Sequence, residues 1–274
     1  MNTVRVMSKN AAYQKFEVLR TNRNKRYRYG EFLVEGVRNI NQAIRNGWQF
    51  TSLLYSPETP LSRWAQEVLD TVSCDTHYQL SANLMQELSG KTDTSELLAI
   101  LRMRPDDPAL LHDSPCPLYI LFDRPSSHGN LGSIIRSADA LGADGLILTG
   151  HGVDLYQPEV ITASMGSFFN LPAIRMADND TVFDWIARQR DLHPGFQVIG
   201  TTAHKQLNIT QVDFRLPTLL MIGNETEGLC RAFKEGCDLL ATIPMADTSS
   251  ASSFNVACAA TVMMYEVCRQ RAQE

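Results

Sequence analysis

Three short stretches in the second half of the chain combine residue types that bind and orient ligands. Asn130-x-Gly132-x-x-x-Arg136 sets an amide, a glycine and a guanidinium at the start of a helix-forming run. Gly223-Asn224-Glu225-x-x-Gly228 puts a carboxylate between two glycines, directly after the apolar run 219–222. Ser252-Ser253-Phe254-Asn255 places hydroxyls and an amide ahead of a last, apolar helical run. Asn130 and Asn255 have the side chain of a helix N-cap. An arginine close to a helix start is electrostatically misplaced, because the helix dipole already favours anions there. Either a phosphate-like anion sits between the two, or Arg136 pairs with Asp139 at i+3. The Gly223–Gly228 loop offers backbone N–H groups and a fixed carboxylate to a ligand, or it is a tight turn with a capping Glu.

The elements that must carry these residues follow from periodicity. Runs 219–222 and 239–243 are short, largely apolar and stopped by Gly223 and Pro244, which marks buried strands rather than helices. Parallel strands that end together open their loops on one edge, where ligands bind. Upstream, strands at 118–122, 145–149 and 197–200 alternate with helices at 131–141, 157–165 and 181–189. A helix over 255–271, with Ala257, Ala260, Val262, Met263 and Val267 as its apolar side, closes a doubly wound parallel sheet. Before it, a helix at 15–28 and strands at 31–35, 50–55, 77–80 and 97–101 alternate with helices at 36–46, 61–72 and 82–88. That is a smaller α/β domain. Residues 104–117 hold four prolines and read as a linker. The expected organisation is therefore a domain over 1–104, a linker over 105–117 and a domain over 118–274.

Bulk composition restricts the function further. The 274 residues are 44% hydrophobic and 20% charged, the balance of a globular chain with a proper core. No apolar run is long enough to span a membrane, and the polar, basic start lacks the apolar stretch of a secretory signal; a cytoplasmic protein is expected. The six cysteines form no CxxC pair, so reduced and mostly buried thiols, and no metal site, are expected. His128, His151 and His204 have no catalytic or ligand-spaced partner and read as surface histidines. GxGxxG, GxxxxGK[ST], GxSxG and HExxH are all absent, which argues against dinucleotide, P-loop and common hydrolase chemistry.

The net charge of −5 hides an asymmetry. Residues 1–30 carry eight cations against Glu17, which is +7 and leaves −12 for the rest. Arg20, Arg23, Lys25, Arg26 and Arg28 cluster with Tyr27 and Tyr29. This segment is either an RNA-binding arm, with rings that stack on bases, or a solvated basic helix.

Taken together, the three stretches resemble the motifs of the SpoU (TrmH-like) RNA 2′-O-ribose methyltransferases of the SPOUT class. Asp154-x-Tyr156-x-Pro158, Ala163-Ser-Met-Gly166 and Gly200-Thr201-Thr202 match as well, and the likeness is strong over 118–271. More loosely, the N-terminal part with Phe32-Leu-Val-Glu-Gly36 is similar to the substrate-binding domain of the ribosomal-RNA members, related to RNA-binding ribosomal proteins. The resemblance implies a trefoil knot in the C-terminal half and a homodimer through that domain. It implies S-adenosylmethionine as cofactor, held by Thr201, Thr202, Gly223, Asn224, Gly228, Ile243, Met245 and Phe254. The catalytic set carried over is Asn130, Arg136, Glu225, Ser253 and Asn255, with Arg136 completing the site of the neighbouring subunit. Phe254 stands where the family usually has leucine, and the longer loop before it leaves either Ser252 or Ser253 as the motif serine. The expected substrate is structured RNA, ribosomal first and transfer RNA second; the alternative is an inactive RNA-binding member of the same fold.

Overall fold

The short apolar runs pair into two separate sheets. The computed structural model describes residues 2–204 and 206–272. The chain divides into two units, Met1–Arg104 with Asp154–Asn170, and Pro105–Val153 with Leu171–Glu274.

The first unit has a mixed sheet of β1 (Asn2–Val6), β2 (Glu31–Glu35), β3 (Phe50–Tyr55), β4 (Thr76–Leu80) and β5 (Leu97–Arg102), in the order β1-β4-β3-β5-β2. β1, β4 and β3 run parallel, while β5 is antiparallel to β3 and β2. Its helices are α1 (Ala11–Thr21), α2 (Arg23–Tyr29), α3 (Val37–Arg45), α4 (Arg63–Thr71) and α5 (Ala82–Leu88). Tyr13, Phe16 and Leu19 of α1 recur at helical spacing and pack on Leu33, Leu54, Leu80 and Leu98 of the sheet. The single helix expected over 15–28 is two. Asn22 ends α1, and its side chain caps α2 by accepting from Lys25 N at 3.1 Å, the usual preference of Asn for a cap over a helix interior. β1 has too little apolar content to be recognised from sequence.

The second unit is built on seven parallel strands in the order β10-β12-β9-β11-β6-β7-β8. They are β6 (Leu118–Asp123), β7 (Gly145–Thr149), β8 (Ala173–Met176), β9 (Gln197–Thr201), β10 (Leu207–Asn208), β11 (Thr218–Ile222) and β12 (Leu239–Thr242). The helices that follow in chain order are α6 (His128–Ala140), α7 (Pro158–Ala163, in the first unit), α8 (Asn179–Leu192), α9 (Arg231–Gly236) and α10 (Val256–Arg271). Every residue of β6, β7 and β11 is buried, as a parallel sheet covered on both faces requires. Tyr119, Leu121, Ile147, Val198, Leu219 and Met221 pack there on Trp185 and Phe233. β8 and β10 were not expected from sequence. Val262 lies on the outer side of α10, 43% exposed, rather than in the core.

Two expected boundaries shift. The proline-rich stretch is no free linker: Leu111 is buried in the second unit's core, and His112 N bonds Asp144 O at 3.0 Å. The segment Asp154–Asn170, read from sequence as part of the C-terminal domain, belongs to the first unit. Tyr156, Phe168 and Phe169 join Phe32 and Trp48 in an aromatic cluster of edge-to-face and tilted pairs, and Trp48 Nε1 donates to Phe169 O at 2.9 Å. No cysteine is buried either: four are half-buried and two exposed.

Arg26 explains much of this second shift. It is fully buried, and its guanidinium pairs with Asp154 at 2.6 Å and bonds Gln157 and the carbonyls of Leu19 and Arg20. The expected RNA-binding role of Arg26 is therefore corrected: an arginine this enclosed has no face for a phosphate. Removing one partner of a buried pair strands the other charge. Arg26→Ala is expected to lose about 3–5 kcal/mol of stability in denaturant unfolding, against less than about 0.5 kcal/mol for exposed Arg28→Ala; equal losses would mean the pair is not what holds the segment.

Candidate functional site

β9, β11 and β12 lie next to one another, and their carboxyl ends open onto a cavity of about 350 Å³. Thr201 and Thr202 reach it from the end of β9, Gly223 from β11, and Ile243 and Met245 from beyond β12. At position 223 a Cβ atom would lie 2.2 Å from Leu229 N, so only glycine lets the chain double back there. The doubled-back turn closes on itself. Asn224 N and Gly228 N exchange hydrogen bonds with each other's carbonyls at 3.1 and 3.0 Å, and Asn224 Oδ1 accepts from Thr226 N and Glu227 N. The amides that the sequence offered to a ligand are thus largely spent inside the turn.

Glu225 is directed away from its own turn to the start of α6. Its carboxylate accepts from Ser126 N at 3.0 Å, Ser126 Oγ at 2.7 Å, Ser127 N at 3.0 Å and Asn130 Nδ2 at 3.2 Å. The anion expected at this helix start is the protein's own carboxylate. Burial raises the Glu225 pKa, but the bonds from Ser126 and Asn130 outweigh it and hold the carboxyl below its ordinary value. Ser127, not Asn130, is the N-cap of α6. Asn130 instead joins the motifs, because its Oδ1 accepts from Asn255 Nδ2 at 3.2 Å. Asn255 does cap α10, accepting from Ala257 N and Cys258 N.

All eight residues expected to bind cofactor line the cavity: Thr201, Thr202, Gly223, Asn224, Gly228, Ile243, Met245 and Phe254. Glu225, Ser252 and Ser253 line it too, whereas Asn130 and Asn255 stand behind the wall through Glu225. Arg136 is exposed on α6 and does not line the cavity. Leu229, Lys234, Val256, Ala259 and Met263 line it as well, as do Ala203, His204, Ile222, Thr226, Glu227 and Thr242. Sequence reasoning missed Lys234, Val256, Ala259 and Met263 because their spacing is that of ordinary helix positions. Of the basic segment, Arg20 donates to the carbonyls of Glu87, Leu88 and Ser89, and Arg23 lies 5.7 Å from the Tyr27 ring. Arg28 is exposed and Lys25 half-buried.

Residues 117–265 match the SpoU rRNA Methylase family, and residues 10–99 the SpoU L30e-like domain. The chain belongs to the SpoU methylase family. This SpoU chain is 46% identical over 268 residues to the 23S rRNA (uridine(2479)-2′-O)-methyltransferase of Streptomyces viridochromogenes, covering 97% of the chain and 92% of that protein. Its fold is similar to the crystal structure of the SpoU methyltransferase AviRb from the same organism in complex with AdoMet, with a TM-score of 0.90, 46% identity and coverage of 96% and 98%. The AdoMet-bound rRNA methyltransferase of Sinorhizobium meliloti superposes with a TM-score of 0.84 at 28% identity, over 97% and 98% of the two chains.

Because the folded-state pKa of Glu225 lies below its unfolded value, its stabilisation is complete above about pH 4.3 and is lost as pH falls through the folded value. Glu225→Gln is expected to cost about 1 kcal/mol near pH 7. Its melting temperature should converge on that of the wild type as pH falls through the folded value and below it. A gap that stays constant across that range would mean the charge is not what matters.

Proposed function

We propose that this chain transfers a methyl group from S-adenosylmethionine to a ribose 2′-hydroxyl of structured RNA, with ribosomal RNA as substrate. The observation that carries the reading is that the Gly223–Gly228 loop, Ile243, Met245, Ser252 and Ser253 line one cavity while Asn130 is tied to it through Glu225, in a chain alike over nearly its whole length to a 23S rRNA 2′-O-methyltransferase. The cavity lies at the lower end of the usual size for small-molecule sites. Its lining suits an amphipathic cofactor: Ile243, Met245, Leu229 and Met263 for apolar surface, Thr201 and Thr202 for hydroxyls, and Lys234 for a carboxylate.

When bound, S-adenosylmethionine supplies a methyl group on a positively charged sulfur. The chain's own work is to align the acceptor and assist loss of its proton. Glu225 is saturated with hydrogen bonds, which suits a structural anchor better than a base. Arg136 carries a guanidinium, which is a poor proton acceptor. Its proposed role is to clamp the RNA phosphate and stabilise the emerging alkoxide, with Asn130, Asn255 and Ser252 or Ser253 ordering the loops around it. The protein is read as cytoplasmic, with the family's trefoil knot in its second unit. No helix among the described residues is long and apolar enough to cross a membrane.

Arg136 serves the site from a partner subunit in this reading. On α10, Cys258, Val262 and Tyr265 recur at helical spacing on the exposed side, with Val262 43% and Tyr265 57% exposed, and Phe254 before the helix is 47% exposed. Such a stripe suits a second copy of the chain. In the first unit, Arg23, Lys25 and Arg28 are the proposed contacts to RNA phosphates.

Calorimetry with S-adenosylmethionine, followed by mapping of 2′-O-methyl positions in total RNA with and without the gene, tests the function. Binding and the loss of one or a few methylated riboses are expected; an unchanged methylation map would refute the reading. Val262→Asp with Tyr265→Asp should give a monomer in sedimentation that binds RNA but no longer methylates it. An active monomer would remove the partner's Arg136 from the site. Neutralising Arg23, Lys25 and Arg28 should flatten the salt dependence of RNA affinity by up to about three units of log–log slope.

A further inference from the structure

We propose that Arg124 is a positioning residue for the cofactor pocket, fixing the Asn224–Gly228 turn from both ends; this rests on the reading that the pocket takes S-adenosylmethionine. Arg124 and Met165 are the non-glycine residues with positive φ among those described, and Arg124 has φ 50°. A side chain is held in that conformation only where its surroundings over-determine it, and such residues gather at functional loops. Here the conformation serves two contacts at once. The main-chain carbonyl of Arg124 accepts from Asn224 Nδ2 at 2.7 Å, at the first residue of the turn. Its guanidinium donates to Gly228 O at 3.0 Å, at the last residue, and pairs with Glu227 between them.

The guanidinium is itself anchored. It forks onto Asp123 through Nε at 3.2 Å and NH2 at 3.1 Å, and Asp123 is only 2% exposed. Thr149 Oγ1 and Cys230 N hold that carboxylate from two further sides, at 3.0 and 2.8 Å. Space is reserved for the arginine stem as well: a Cβ at Gly150 would lie 2.5 Å from Arg124 Cγ. Asn224, Glu227 and Gly228 all line the pocket, while Arg124 does not. It therefore acts through the turn rather than on the cofactor.

The test compares full-length Arg124→Gly and Arg124→Lys with the wild type. Glycine keeps the positive-φ backbone without strain and removes only the fork; lysine keeps the charge but cannot serve Asp123, Glu227 and Gly228 together. Calorimetry with S-adenosylmethionine should show about tenfold weaker binding for the glycine variant, the loss expected for one charge-assisted bond spent on ordering. The lysine variant should fall between, about threefold weaker than wild type. In turnover, KM for S-adenosylmethionine should rise while kcat and KM for RNA hold steady, the pattern of uniform binding lost. Wild-type affinity in both folded variants, or a fall in kcat at unchanged affinity, overturns the proposal. If the wild type itself fails to bind S-adenosylmethionine, the functional reading fails instead.

Discussion

The carboxylate of Glu225 is the constraint around which the candidate site is assembled. Hydrogen bonds to an ionised acceptor are short, directional and roughly twice as strong as neutral ones, so they form only if the donors are brought close. Here the donors come from residues 95–99 positions upstream, and Asn130 passes the connection on to Asn255, 125 positions further along. The end of β11, the start of α6 and the start of α10 can meet only in a sheet that places their strands and helices on one edge. The family motifs are therefore as much a device for convergence as a set of reacting groups.

The same economy governs the Asn224–Gly228 turn. A chain that reverses immediately after a buried strand must satisfy its own amides or leave them exposed to ligand. This turn satisfies most of them internally, through Asn224 at one end and Gly228 at the other. That leaves a rigid rim, and rigidity is what alignment of two reacting centres needs. Gly223 makes the rim geometrically possible, since its backbone lies against Gly228 and Leu229 closer than any side chain allows.

Much of this was legible from sequence, and the gaps have physical causes. β6, β7 and β11 announce themselves because strands buried on both faces must be wholly apolar. β1 and β10 do not, since partly exposed edge strands need no such pattern. The residues that line the candidate cavity were named through the family resemblance, which rests on motifs in three loops that carry more information together than apart. The failures came from pairing: whether a charged residue faces solvent or a buried partner depends on residues far along the chain. Arg26 meets Asp154 across 128 positions, and nothing in a basic, aromatic segment distinguishes that arginine from its exposed neighbours. Asn130 likewise looked like a helix cap when its amide was needed for a bridge.

The membership of Asp154–Asn170 in the first unit bears on how such a protein can be dissected. The polypeptide passes from one unit to the other after residues 104, 153 and 170, so no single cut yields both pieces whole. A fragment beginning at Pro105 would carry an orphaned loop with Asp154, Trp48's carbonyl partner and three aromatic rings stripped of their neighbours. The two units are thus interlaced along the chain, and they have to be expressed and engineered together.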